Sequence, residues 1–193
     1  MKFERGFKTH ANHIALAVRQ ELGLEPHAPL CPWSLAQHLA IPVVPLRKLA
    51  EDNPGIVVHV DYLARVESKA FSAITIFSGH KRLIVHNDSH MLTRQRSDLA
   101  HELGHALLMH PPHPPFCSTG KRVFDRVLED EAGWLGPVLL VPNEAAHWVV
   151  ATGLTDDSAA RHFGVSRKLI TFRLGVSGAR RLASYMTHRH SFR

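Results

Sequence analysis

Ser97-Asp98-Leu99-Ala100-His101-Glu102-Leu103-Gly104-His105 sits in a segment where Leu92, Leu99, Leu103 and Leu107 recur at helical spacing. The spacing predicts a long helix from Leu92 to His110, stopped by Pro111 and Pro112. Upstream, Ile14, Val18 and Leu22 predict an amphipathic helix over 10–23, broken by Pro26 and Pro29. A short helix over 32–39 runs into Ile41-Pro42-Val43-Val44-Pro45-Leu46, which reads as a strand ended by Pro45. Asn53-Pro54-Gly55 makes a turn. Residues 56–60, 71–77 and 82–86 read as strands, the last two forming a hairpin across Ser78-Gly79-His80. Downstream, a proline-rich loop precedes a helix over 123–135, bent or ended near Gly136-Pro137. A further helix starts near Asn143, whose side chain is placed to cap it. Two short helices separated by Phe163-Gly164-Val165-Ser166 follow.

Helices, a small sheet, then helices again make an α+β chain. The expected arrangement is a small antiparallel sheet packed on the helix pair that carries the candidate site, with a C-terminal helical subdomain of helix-turn-helix look. The expected units are 1–150, and 151–193 packed against it. Hydrophobic residues make up 45% of the chain, enough to build a core, which excludes a disordered protein. Lys and Arg number 23 against 17 Asp and Glu, a formal net charge of +6 with histidine neutral. Such a balance can attract nucleic acid or acidic partners. The positive charge is scattered, however, gathering only at Arg94/Arg96, Arg180/Arg181 and His188-Arg189-His190, which fits an ordinary solvated surface. No stretch approaches the roughly 20 apolar residues that span a bilayer. The start, MKFERGFKTHANH, lacks the apolar segment of a secretory signal. No membrane and a cytoplasmic location are therefore expected. The two cysteines, Cys31 and Cys117, are expected as buried thiols in a reducing compartment.

Two histidines four apart on a helix stack on one face, with Cβ atoms roughly 6 Å apart. Both imidazoles of His101 and His105 can then point at one ion. Glu102 is rotated by about 100° from His101, too far to join them as a simple third ligand. It can instead take the proton of a water attacking a carbonyl, the division of labour found in H-E-x-x-H peptidases. With 16 histidines in the chain, the pentapeptide needs support from its surroundings. The segment is apolar, where unpaired histidine and glutamate are costly to bury, and acids follow downstream. A catalytic zinc usually takes three protein ligands and keeps one position open. Leu128-Glu129-Asp130-Glu131-Ala132 is the best source of the third. By helical phase Glu131 lies one turn before Leu135 and near Trp134, hence towards the buried side, so Glu131 is the expected ligand with Glu129 as the alternative. His110 and His113 follow the motif, His110 off the metal-binding face and His113 in a loop.

RQRSDLAHELGHALLMH (94–110) followed by EDEAGWLGPVLLVP (129–142) resembles the ImmA/IrrE family of metallo-endopeptidases. In that family the H-E-x-x-H helix is followed by an E-A-N-x-F-A-x-x-L-L-M-P-like signature. Glu131-Ala132 opens it here and Leu139-Leu140-Val141-Pro142 closes it. The likeness reaches upstream through VRQELGL, SLAQHLAIPVVPL, FSAITIF and RLIVHND, and covers about 10–175. Gly133, Leu135 and Val141 depart from the usual asparagine, phenylalanine and methionine. The resemblance implies a zinc peptidase, with another divalent metal such as Mn2+ as the alternative. It implies His101, His105 and Glu131 as ligands, Glu102 as base, and a helix-turn-helix repressor as protein substrate.

Three further expectations remain. The strand ending at His86-Asn87 is a candidate cleft edge for an extended peptide. Tyr62, His86 and His147 are candidate oxyanion donors. Residues 156–174 look like a helix-turn-helix, decorated by Arg167, Lys168 and Arg173, yet suit a hairpin packed on the peptidase as well. Direct nucleic-acid binding is not expected. The rival reading is a metal-binding regulator without proteolytic activity, contacting DNA or a partner through those helices.

Overall fold

The structure is a computed structural model and describes residues 3–66, 71–79, 81–112 and 125–182. Helices α1 (Phe7–Glu21) and α2 (Pro32–His38) precede strand β1 (Val43–Pro45). Next come α3 (Leu46–Asp52), a 3-10 turn (Pro54–Ile56), α4 (Val57–Asp61) and a π turn (Tyr62–Val66), leading to β2 (Ala73–Ser78) and β3 (Lys81–His86). The remaining helices are α5 (Leu92–Leu107), α6 (Arg126–Leu140), α7 (Asn143–Ala151), α8 (Asp156–Phe163) and α9 (Arg167–Val176). The α+β class read from the sequence is the class observed. Among the described residues no helix is long and apolar enough to cross a membrane. Cys117, His113 and His80 lie outside the described residues; Cys31 is half-buried.

The sheet is mixed rather than antiparallel. Its order is β1-β3-β2, with β1 parallel to β3 and β2 antiparallel to it. Parallel neighbours need a crossover connection, and α3, α4 and the turns between β1 and β2 supply it. Residues 56–60, read as a strand from their β-branched composition, are part of this helical crossover. Val60 and Ala64 are buried at i, i+4 spacing while Val58 is exposed, so the core contact follows a helical period that outweighs local β propensity. Side chains alternate across the sheet. Ile74 and Val85, a cross-strand pair, pack with Leu46 and Val60 on one face. On the other, Val43, Ile84 and Thr75 form a row, in which Val43 and Ile84 join the main core with α5.

That main core is built where α5 and α6 meet, closed by α1 and α2. Leu99 and Leu103 of α5 and Leu135 and Leu139 of α6 are fully buried, with Phe7, Ala11, Ala15 and Val18 of α1 and Leu35 of α2 around them. Each such leucine contributes about 2 kcal/mol of burial. Helix α6 runs through Pro137 rather than ending before it. Its last residues stay helical because Val141 N–H still donates to the Pro137 carbonyl at 2.9 Å. The far end of α6 is held by two buried arginines. Arg19 donates to the Leu140 carbonyl at 3.2 Å, and Arg173 Nε to the Val141 carbonyl at 2.7 Å. Carbonyls at a helix C-terminus lack intrahelical partners and carry the negative end of its dipole. Burial lowers both guanidinium pKa values to about 10, which leaves them charged at neutral pH.

Helix α7 is not capped by its own Asn143. The Asn143 N–H donates to Asn12 Oδ1 of α1 at 2.8 Å, while Asn143 Oδ1 accepts from Arg173 at 2.8 Å. Helices α8 and α9 are capped locally by Thr155 and Ser166. Their apolar faces, including Ala159, Phe163, Ile170 and Leu174, pack with Ala145, Ala146 and Val149 of α7 and Leu140 of α6. Arg173 points into this interior, unlike the exposed Arg167 and Lys168.

Candidate metal centre

The two helices that carry the site approach closely because small residues line their contact. A Cβ added to Gly136 would lie 3.1 Å from the His101 nitrogen and 3.2 Å from the Ala100 carbonyl group. One added to Gly104 would lie 3.3 Å from the Ala132 oxygen. Glycine at both positions thus lets the backbones come together, and Ala132 and Gly136 mark the stripe of α6 that faces α5. Glu129 lies on the same stripe, one turn before Ala132.

The outcome is a cluster of His101, His105 and Glu129. His101 Nε2 is 3.1 Å from His105 Nε2 and 3.2 Å from Glu129 Oε2, and His105 Nε2 is 3.8 Å from Glu129 Oε1. Ligands held roughly 2.0–2.1 Å from one tetrahedral zinc lie about 3.4 Å from each other, so these donors fit that ion. Two imidazoles and a carboxylate are also the donor types zinc accepts. Glu131, expected third, is elsewhere: its carboxylate is 3.2 Å from His110 Nε2. The phase was read from Trp134 and Leu135, but α6 is buried on more than one side. Trp134 looks towards Phe3 and Lys8, whereas the stripe against α5 is small.

The two imidazoles sit in opposite fields, and only His105 is biased towards the neutral form. Burial opposes charge on His101, but its bond to Glu129 and the charges of Glu102, Glu129 and Asp98 prevail and raise its pKa. Burial, then the charge of His101, pushes His105 down to about 4, leaving a neutral ring with a lone pair, as a ligand requires. Asp98, one turn before His101, has its pKa raised by burial, with His90 and Arg94 offsetting this from 3.5 and 3.6 Å.

Glu102 is buried, and Thr75 Oγ1 donates to its Oε2 at 2.6 Å. Sequence reasoning missed Thr75. The signal was present as a polar residue on the α5-facing row of an apolar strand. It named His110 only as lying off the metal-binding face; the residue is 6% exposed, and its Nδ1 is 2.8 Å from His105 Nδ1. The chain doubles back here through a Schellman turn: Met109 N–H donates to the Ala106 carbonyl and His110 N–H to the His105 carbonyl, with Met109 at φ 53°. Among the oxyanion candidates, His86 is buried edge-on against Trp33, His147 lies 3.4 Å from the Ser177 carbonyl, and Tyr62 is exposed. Strand β3, expected at the cleft edge, is central; β2 is the edge beside Glu102.

Comparison with known families gives the class. The model of the peptidase M78 family, described as the IrrE N-terminal-like domain, matches residues 52–175. The chain therefore belongs to this family of metallopeptidases. No curated protein and no solved structure matches it.

Proposed function

We propose that the protein is a zinc-dependent endopeptidase that cleaves a helix-turn-helix transcriptional repressor in the cytoplasm. The observation that carries the enzymatic part is the convergence of His101, His105 and Glu129 to within 3.1–3.8 Å beside the buried carboxylate of Glu102. The two imidazoles and the Glu129 carboxylate hold the metal. When bound, zinc supplies Lewis-acid polarisation of the scissile carbonyl and acidifies the attacking water. Glu102 takes the proton of that water and later returns it to the leaving amine. Thr75 donates to Glu102 Oε2 and so fixes the orientation of the carboxylate that handles this proton. The substrate backbone lies along the edge of β2, adding a strand next to Thr75. The repressor as substrate rests on the family likeness. Helices α8 and α9 act as packing elements, since the side chains of Ile170, Arg173 and Leu174 face inward.

The test is a zinc assay and a cleavage assay with the repressor encoded beside the gene, on wild type, Glu102→Gln and His105→Ala. Glu102→Gln is expected to keep zinc and lose cleavage, and His105→Ala to lose both. Full cleavage by Glu102→Gln would sink the mechanism. Zinc binding without cleavage of any repressor by the wild type would favour the non-proteolytic regulator.

A further inference from the structure

We propose that His110 and Glu131 are positioning residues that fix the tautomer of His105 through a directed hydrogen-bond chain; this rests on the metal reading above. The side chains stand in series. Glu131 Oε2 is 3.2 Å from His110 Nε2, and His110 Nδ1 is 2.8 Å from His105 Nδ1. The remaining nitrogen of His105, Nε2, faces His101 and Glu129.

Hydrogen-bond valence sets the direction. A carboxylate only accepts, so His110 Nε2 must carry the hydrogen it shares with Glu131. The 2.8 Å contact between the two Nδ1 atoms holds one hydrogen, and with His105 Nε2 taken as the ligand that hydrogen belongs to His105, so His110 Nδ1 is the acceptor. His105 Nδ1 donates to it, and His105 Nε2 keeps a lone pair directed at the metal position. Histidine ligands commonly give their second N–H to such a partner, which sets ring orientation and basicity. Here the partner is a histidine steadied in turn by a carboxylate. Glu131 and Glu129 are two residues apart on α6, yet one serves the ligand from behind and the other joins it directly.

The fold holds the chain in place by independent means. His110 is buried, and its carbonyl accepts from Arg82 at 3.3 Å. The Schellman turn bonds its N–H to the carbonyl of His105 itself at 3.0 Å, so the two rings are neighbours by backbone construction. Their ring centroids are 4.9 Å apart and nearly perpendicular, at 71°.

The experiment measures zinc affinity by chelator competition on wild type, His110→Phe, His110→Asn, Glu131→Ala and His105→Ala, with a thermal melt for each. His110→Phe removes the acceptor and should weaken zinc about 10–100-fold. His110→Asn restores an amide oxygen near the Nδ1 position and should recover most of that loss. Glu131→Ala should fall between them. In parallel, long-range 1H–15N spectra of the zinc-loaded wild type should show His105 protonated at Nδ1 and His110 at Nε2. Folded His110→Phe and Glu131→Ala proteins that hold zinc as tightly as wild type would overturn the inference alone, as would a His110 ring protonated at Nδ1. Should His110→Phe fail to fold, Glu131→Ala and the wild-type spectra decide. A wild type that binds zinc no better than His105→Ala would overturn the metal reading and this inference with it.

Discussion

Thr75 Oγ1 and Glu102 Oε2 are 2.6 Å apart, a bond that runs from the edge strand of the sheet to the centre of α5. A hydrogen bond to a charged acceptor of this length holds the carboxylate in one rotamer. Thr75→Val keeps the shape of the side chain and removes the donor. Cleavage, read as kcat/KM, is expected to fall about tenfold, with zinc content unchanged. A Thr75→Val protein as active as wild type would remove Thr75 from the account.

Gly136→Ala tests the close contact of α5 and α6. Its new Cβ would meet helix backbone at 3.1–3.2 Å, atoms that cannot swing aside as a side-chain tip would. A loss of about 1–3 kcal/mol in urea unfolding is expected. Zinc affinity should fall as well, since Glu129 shares the displaced helix face.

Asp156 gives a pH prediction. Bonds from Thr171 and Arg180 hold its carboxyl below the ordinary value of 3.8. A carboxyl with a depressed folded pKa stabilises the fold above its unfolded pKa and loses that contribution as pH falls through the folded one. Asp156→Asn should therefore cost about 1 kcal/mol at pH 7, a modest figure because Arg180 is half exposed. Urea melts should show the difference shrinking once the pH drops below 3.8.

Met109 occupies the left-handed region at φ 53° with its side chain in solvent. A residue with a Cβ is strained there, and glycine is not. Met109→Gly should raise stability by about 1 kcal/mol and leave zinc affinity intact, as measured by thermal melting and chelator competition. A lower melting temperature would mean that the turn draws on the methionine side chain.

How far the sequence was legible depended on which force marked each residue. The H-E-x-x-H helix could be read because large leucines recur on one buried face, and α5 begins at the expected Leu92. The hairpin strands were legible as two short runs rich in β-branched and aromatic residues on either side of Ser78-Gly79-His80. Residues 56–60 misled because β-branched composition is a local signal, while Val60 and Ala64 answer to a core the local sequence does not show. Glu131 misled for a related reason: close approach of two helices is marked by glycine and alanine, which carry no hydropathy signal. The cap of α7 came from Asn12, more than a hundred positions away, and no local pattern announces such a partner.

Arg19 and Arg173 come from opposite ends of the described chain, yet both grip the terminal carbonyls of the helix that bears Glu129. That helix is in effect a lever with its fulcrum remote from the His101, His105 and Glu129 cluster. Damage to α9, or detachment of α1, would free the C-terminal end of the helix whose first turns carry Glu129. Loss of either arginine is therefore expected to lower the melting temperature by loosening the end of α6 farthest from Glu129.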